Sequence, residues 1–369
     1  MGYFDIYSSN TIAGTSSQCF FESDGVLHTS RVFYRIFAGG RYNYSFLYTN
    51  TVDSTYLPVA GSVRNMQCDR WEMKSIRVSV CPKSVFDIAA GHKNMPEMAF
   101  CEVTVDGASS KVVEPGEVFS TDAVELCAEK DDYICIEMSF VGSKMPRMND
   151  LNIAGYELDG DKWIESNRFP VPSMIGCDRN VKLKVAFFGD SITQGIGTEK
   201  NSYAHWNALL SGKLSSENAY WNIGISGACG NDAATFGNWF DRAKHNDLVV
   251  MCFGVNDIMS GRSYDQLTHD LESFVSELYE NGCKVILQTV PPFLYNEPMT
   301  DTWKKVNDYI RNVLSEKVEA VFDNTVFLLG EGEGAEALIY GDHPNADGCR
   351  IWADAIYPCV EKVIKKYNQ

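Results

Sequence analysis

The chain has 369 residues, is 45% apolar and carries a net charge of −17. Length and apolar content predict two folded domains rather than disorder. The acidic balance, with no Lys/Arg cluster to offset it, argues against nucleic acid or an anionic membrane as partner and favours neutral or cationic substrates.

No stretch reaches the ~18 consecutive apolar residues that a membrane span needs. The first residues, Met1-Gly2-Tyr3-Phe4-Asp5-Ile6, show no basic segment followed by an apolar run. Ile6 stands where myristoylation wants Ser or Thr. A cytoplasmic protein is expected. Twelve Cys occur without a C-x-x-C pair, which disfavours a disulfide scaffold, a zinc ribbon or a thioredoxin-type site. Cys135 and Cys252 sit inside apolar runs and read as small buried hydrophobes.

Residues 1–180 read as an all-β domain. Aromatic and β-branched runs recur at Arg31–Phe37, Tyr42–Tyr48, Ile76–Cys81, Met98–Val105 and Tyr133–Phe140. Gly39-Gly40, Asp106-Gly107 and Glu114-Pro115-Gly116 punctuate them. This spacing predicts a β-sandwich of jelly-roll type. Phe169-Pro170-Val171-Pro172-Ser173 predicts an extended linker, with the boundary near residue 180.

Residues 181–369 alternate strand and helix. Strands are expected at Lys184–Phe188, Trp221–Ile223, Leu248–Phe253, Lys284–Thr289 and Val321–Leu328. Helical windows fall at Tyr203–Leu214, Ala233–Lys244, Tyr264–Asn281, Thr302–Lys317 and Ala346–Tyr367. Near-continuous apolar strands alternating with helices predict a doubly wound, parallel α/β sheet. Such sheets carry their sites beyond the C-terminal strand ends.

Those ends hold small polar clusters. Gly189-Asp190-Ser191-Ile192-Thr193 offers a serine hydroxyl and a backbone N–H at a sharp turn. A serine hydroxyl needs a base before it attacks. In Asn222-Ile223-Gly224-Ile225-Ser226-Gly227, glycine lets backbone N–H approach an oxyanion unobstructed. In Gly254-Val255-Asn256-Asp257, the Asn256 carboxamide can donate to the same oxyanion. Tyr340-Gly341-Asp342-His343-Pro344-Asn345 opens the last helix and supplies a histidine. Alone, each cluster is an ordinary turn or helix cap; at successive ends of one sheet they compose a site. Of the six His (28, 92, 205, 245, 269 and 343), His205, His245 and His269 lie in helical windows without ligand spacing, so a metal site lacks support.

In this order the clusters resemble the SGNH (GDSL) hydrolases, over about residues 182–369. The resemblance implies a flavodoxin-like fold and ester hydrolysis with no metal and no cofactor. It makes Ser191 the nucleophile and first oxyanion donor, Gly227 the second, Asn256 the third, and His343 the general base and then acid. One position departs. The family usually has Asp three residues before the histidine, where this chain has Tyr340, and Asp342 directly precedes His343. A carboxylate fixes the imidazole tautomer. Either Asp342 serves through a local turn, or a backbone carbonyl serves and the pair is a Ser–His dyad.

Three other readings compete. Gly195-Ile196-Gly197 after a strand suggests a nucleotide or flavin cradle, but Lys200 replaces the third glycine. Gly224-Ile225-Ser226-Gly227-Ala228 nearly fits the G-x-S-x-G elbow, but ends in Ala. A non-catalytic carbohydrate-binding protein that retains the fold is the third.

A β-sandwich ahead of an SGNH domain is similar to the layout of carbohydrate esterase family 2, whose members deacetylate plant polysaccharides. The expected function is therefore O-acetyl ester hydrolysis on oligosaccharides. The alternative is a lipase or thioesterase acting on other acyl esters. The partner is a small-molecule or oligosaccharide ester. Tyr42–Tyr48 offers either a glycan platform or a core strand face. Phe293, Tyr295 and Trp303 offer either a sugar-stacking surface or loop packing.

Overall fold

Aromatic and β-branched runs suit a pleated, half-buried surface, and in the first half of the chain they form antiparallel strands. The computed structural model describes residues 2–54, 65–85, 95–330 and 338–368; His92 lies outside them. The chain forms two compact units, Met1–Val181 and Lys182–Gln369.

The first unit is a β-sandwich. One sheet runs in the order Lys162–Glu165, Gly155–Asp159, His28–Arg35, Tyr133–Gly142, Trp71–Cys81 and Cys101–Val103, with Lys111–Val113 also on Trp71–Cys81. The other runs Ser8–Ser9, Met174–Cys177, Gly40–Thr49 and Val118–Ser120, with Val124–Ala128 also on Gly40–Thr49. Trp71 of the first sheet meets Phe119 of the second at 6.5 Å between ring centroids. Tyr44, Phe46 and Tyr48 are buried, so the aromatic run is core rather than a glycan platform. Each such ring contributes roughly 1.5–3 kcal/mol by burial.

The Pro-rich stretch is no free linker. Phe169 and Val171 are buried, and the Ser173 N–H donates to the Leu47 carbonyl at 2.6 Å. Met174–Cys177 then pairs with Gly40–Thr49. Two prolines fix an extended chain, and that chain carries apolar residues into a sheet.

The second unit has five parallel strands: β1 (Lys184–Gly189), β2 (Ala219–Asn222), β3 (Leu248–Cys252), β4 (Lys284–Gln288) and β5 (Ala320–Phe322). Their order is β2-β1-β3-β4-β5, the flavodoxin-like arrangement, with its switch point between β1 and β3. β3 is buried along its whole length. Among the described residues no helix is long and apolar enough to cross a membrane.

Three expected elements differ. The strand expected over Val321–Leu328 stops at Phe322, and Thr325–Leu328 is a helical turn. The Asp323 carboxylate accepts from the Thr325 N–H and hydroxyl and pairs with Arg311, so local bonding outcompetes the ladder. The window Ala233–Lys244 breaks into Gly230–Ala233 and Asn238–Lys244, because Phe236 has φ +52°. The helix expected from Thr302 begins at Glu297, with Asn296 accepting from the Met299 N–H at 3.1 Å.

Candidate active site

At the end of β1 the chain turns tightly into a one-turn helix, α1 (Ser191–Gln194). Gly189 is required, since a Cβ there would stand 2.3 Å from Thr193 Oγ1 and 2.4 Å from the Cys252 carbonyl. Asp190 caps the turn, accepting from the Ile192 N–H at 3.0 Å. Ser191 follows, almost fully buried. Its Oγ lies 2.9 Å from His343 Nε2. As the first helical residue, Ser191 leaves its N–H without an intrahelical acceptor, and none is present elsewhere among the described residues.

The loop after β2 is tied to that turn. Asn222 Nδ2 and Asn207 Nδ2 both donate to the Thr193 carbonyl, at 2.9 and 2.7 Å. The Gly224 N–H donates to Asn222 Oδ1 at 3.0 Å, and the Ser226 N–H to Gln194 Oε1 at 2.6 Å. Gly227 follows with φ +78°. Its N–H has no acceptor among the described residues.

The turn after β3 completes the set. Asn256 Nδ2 donates to the Ala228 carbonyl at 2.9 Å, which uses one of its two N–H groups. Asp257 is fully buried and accepts the Gly230 N–H on both oxygens, at 3.0 and 2.8 Å. Arg262 Nε stands 3.0 Å from Asp257 Oδ1 but makes no aligned hydrogen bond. Asn256 and Asp257 thus lock the Gly227 loop to the β3 end. Burial pushes the Asp190 and Asp257 carboxyls up to about 7.

The histidine is held differently from the expected pattern. Asp342 Oδ1 is 3.7 Å from His343 Nδ1, beyond hydrogen-bond reach, and accepts the His343 backbone N–H at 2.8 Å instead. The Asp342 side chain is 63% exposed. Among the described residues Nδ1 has neither a carboxylate nor a backbone carbonyl as hydrogen-bond acceptor. Packing supports the ring in their place. Phe293 meets it edge-to-face at 5.5 Å. Gly197, at φ +97°, backs the residue so closely that a Cβ would stand 2.8 Å from His343 Cβ and 2.7 Å from the Pro344 carbonyl. Tyr340 is buried, with its hydroxyl unpartnered among the described residues and its ring against Gly348.

Gly197 thus serves the histidine in the place where a phosphate cradle was the competing reading. Tyr295 donates to the Pro291 carbonyl and Trp303 to the Val290 carbonyl, so both are loop packing. Sequence reasoning missed Gly197, Asn207 and Gln194 as supports. The second glycine of Gly195-Ile196-Gly197 was the available signal for Gly197. Nothing local marked the other two.

The arrangement pairs a buried serine with an imidazole and places three donor groups on neighbouring loops. That is the equipment of acyl transfer. Residues 187–351 match the GDSL-like lipase/acylhydrolase family, and the second unit is a GDSL/SGNH hydrolase domain. The chain is similar in structure to a carbohydrate acetylesterase family member from Sinorhizobium meliloti (17% identity, 49% of this chain and 99% of that one, TM-score 0.40). It is similar also to a variant of Axe2, an acetyl-xylooligosaccharide esterase from Geobacillus Stearmophilus (23% identity, 49% and 94%, TM-score 0.40). A member of the lipolytic G-D-S-L family from Veillonella parvula matches at 20% identity (47% and 96%, TM-score 0.40). No curated protein matches the chain.

Proposed function

We propose that the second unit is a serine esterase that removes O-acetyl groups from acetylated oligosaccharides. The carrying observation is the 2.9 Å contact between Ser191 Oγ and His343 Nε2, beside N–H groups of Ser191 and Gly227 that have no other acceptor among the described residues. Ser191 attacks the ester carbonyl while His343 takes its proton. The oxyanion is held by the Ser191 and Gly227 N–H groups and by the second N–H of Asn256. His343 then protonates the leaving sugar hydroxyl, and water hydrolyses the acetyl-enzyme.

Two features support a sugar ester. The net charge of −17 suits a neutral polyol better than a phosphorylated or anionic ester. The order of an antiparallel β unit and then an SGNH domain is similar to the layout of acetyl esterases that act on polysaccharides. A cytoplasmic enzyme of this type would act on imported oligomers. The test is acetate release from a panel of acetylated xylo- and manno-oligosaccharides, comparing wild type with Ser191→Ala. Release by the wild type, most of it lost in Ser191→Ala, is expected. No release from any sugar, with hydrolysis of acyl-CoA or lipid esters instead, overturns the substrate class.

A further inference from the structure

A second serine–histidine contact lies in the first unit, in the hairpin that joins Cys19–Glu22 to His28–Arg35. Ser23 Oγ is 2.7 Å from His28 Nε2. His28 Nδ1 is 2.5 Å from Glu157 Oε1, and Glu157 Oε2 accepts the Ser166 hydroxyl at 3.0 Å. The Glu157 carboxylate accepts only, so Nδ1 carries a proton, and in the neutral ring Nε2 accepts from Ser23. The polarity of a nucleophile–base–carboxylate relay follows from that chemistry.

The ring cannot turn away. It stacks on Phe140 at 5.4 Å and meets Phe21 edge-on. The His28 and Glu157 side chains are 13% and 16% exposed, which shields the pair while leaving it reachable. The Ser23 N–H donates to the Ser143 carbonyl at 2.8 Å and anchors the serine. The Asp24 and Gly25 N–H groups have no acceptor among the described residues. Val26 and Leu27, in the same turn, are exposed apolar side chains.

We propose that Ser23, His28 and Glu157 form a second acyl-transfer site, which takes uncharged esters with a short apolar acyl group. Ser23 Oγ bonds to the ester carbonyl carbon as its proton passes to His28 Nε2. The carbon–oxygen bond to the alcohol breaks, and the alcohol leaves with that proton. The free Asp24 and Gly25 N–H groups are the donors available to the oxyanion, and Val26 and Leu27 lie against the acyl group.

The test uses the full chain and a fluorophosphonate bearing a short alkyl group, with the adduct mapped by peptide mass spectrometry. In Ser191→Ala protein, an adduct on Ser23 is expected. Adding Glu157→Gln, which keeps a hydrogen-bonding side chain at that place, should slow the Ser23 adduct at least about 10-fold. Adding His28→Asn should abolish it. No adduct on Ser23, or an unchanged rate with Glu157→Gln, overturns the proposal. The two sites fail separately. A wild-type adduct on Ser191 alone removes this site and leaves the esterase reading, and an adduct on Ser23 alone does the reverse.

Discussion

Ser191 meets its histidine at 2.9 Å and Ser23 meets His28 at 2.7 Å, but the two pairs sit in opposite surroundings. Behind His28 stands a carboxylate at 2.5 Å. Behind His343 stand a phenyl ring and a glycine, with Asp342 at 3.7 Å and turned to the backbone. Around Ser191, in contrast, the sheet edge fixes three loops to each other through Asn222, Gln194, Asn256 and Asp257. The Ser23 N–H is committed to Ser143, and an exposed turn follows it. One site has invested in oxyanion donors and the other in its base. Preorganised donors are usually the largest single contribution to acyl-transfer rates. Packing can orient an imidazole as a carboxylate does, though it cannot stabilise the imidazolium. Under the proposed function, the main esterase activity belongs to Ser191.

The comparison breaks most sharply at the donors. Asn256→Ala should lower turnover by about 10²–10³, measured as kcat on p-nitrophenyl acetate. A near-normal rate would contradict the donor role. Next comes the packing behind the base. Gly197→Ala introduces a Cβ at a strained φ against His343, and should lower kcat about 10- to 10²-fold by displacing the ring. Unchanged kcat would mean that the loop yields freely. The exposed carboxylate follows. Asp342→Asn should change kcat/KM less than about 5-fold. A loss of several hundredfold would make Asp342 the missing triad member and remove the contrast with Glu157.

The smallest effect concerns stability. Burial raises the Asp190 carboxyl from 3.8 to about 7. Between those values the folded state binds more protons than the unfolded chain, so this residue's contribution to stability falls as pH rises from about 4 to about 7 and is flat above. Asp190→Asn keeps the acceptor for the Ile192 N–H and cannot ionise. Its Tm should therefore gain on wild type between pH 4 and pH 8. A Tm difference that does not move with pH would contradict the raised carboxyl.

Much of the second unit was legible because its signals are local. Apolar strands separated by helical windows define the sheet, and the strand-end rule then points to Ser191, Gly227 and Asn256 without knowledge of side-chain positions. His343 was legible from its place at the opening of the last helix. The supports were not. Asn207 and Gln194 look like any polar residues in helical stretches until the fold closes on the Thr193 carbonyl and the Ser226 N–H. The geometry of Asp342 depends on one turn that adjacent residues do not dictate. In the first unit, the strands of eight residues or more were readable by alternation, whereas the five-residue strands Val124–Ala128 and Gly155–Asp159 were not singled out and Met174–Cys177 was hidden behind two prolines. Glu157 and His28 stand on neighbouring strands far apart in sequence, so no spacing rule could join them to Ser23.

The proposed nucleophile is tested most directly by trapping the acyl-enzyme. Wild-type protein mixed with p-nitrophenyl acetate and quenched in acid within the first turnover should carry an acetyl group on the peptide containing Ser191, and Ser191→Ala should lose most of the hydrolysis. Wild-type turnover in Ser191→Ala, with no acetyl on that peptide in the native protein, would contradict the account.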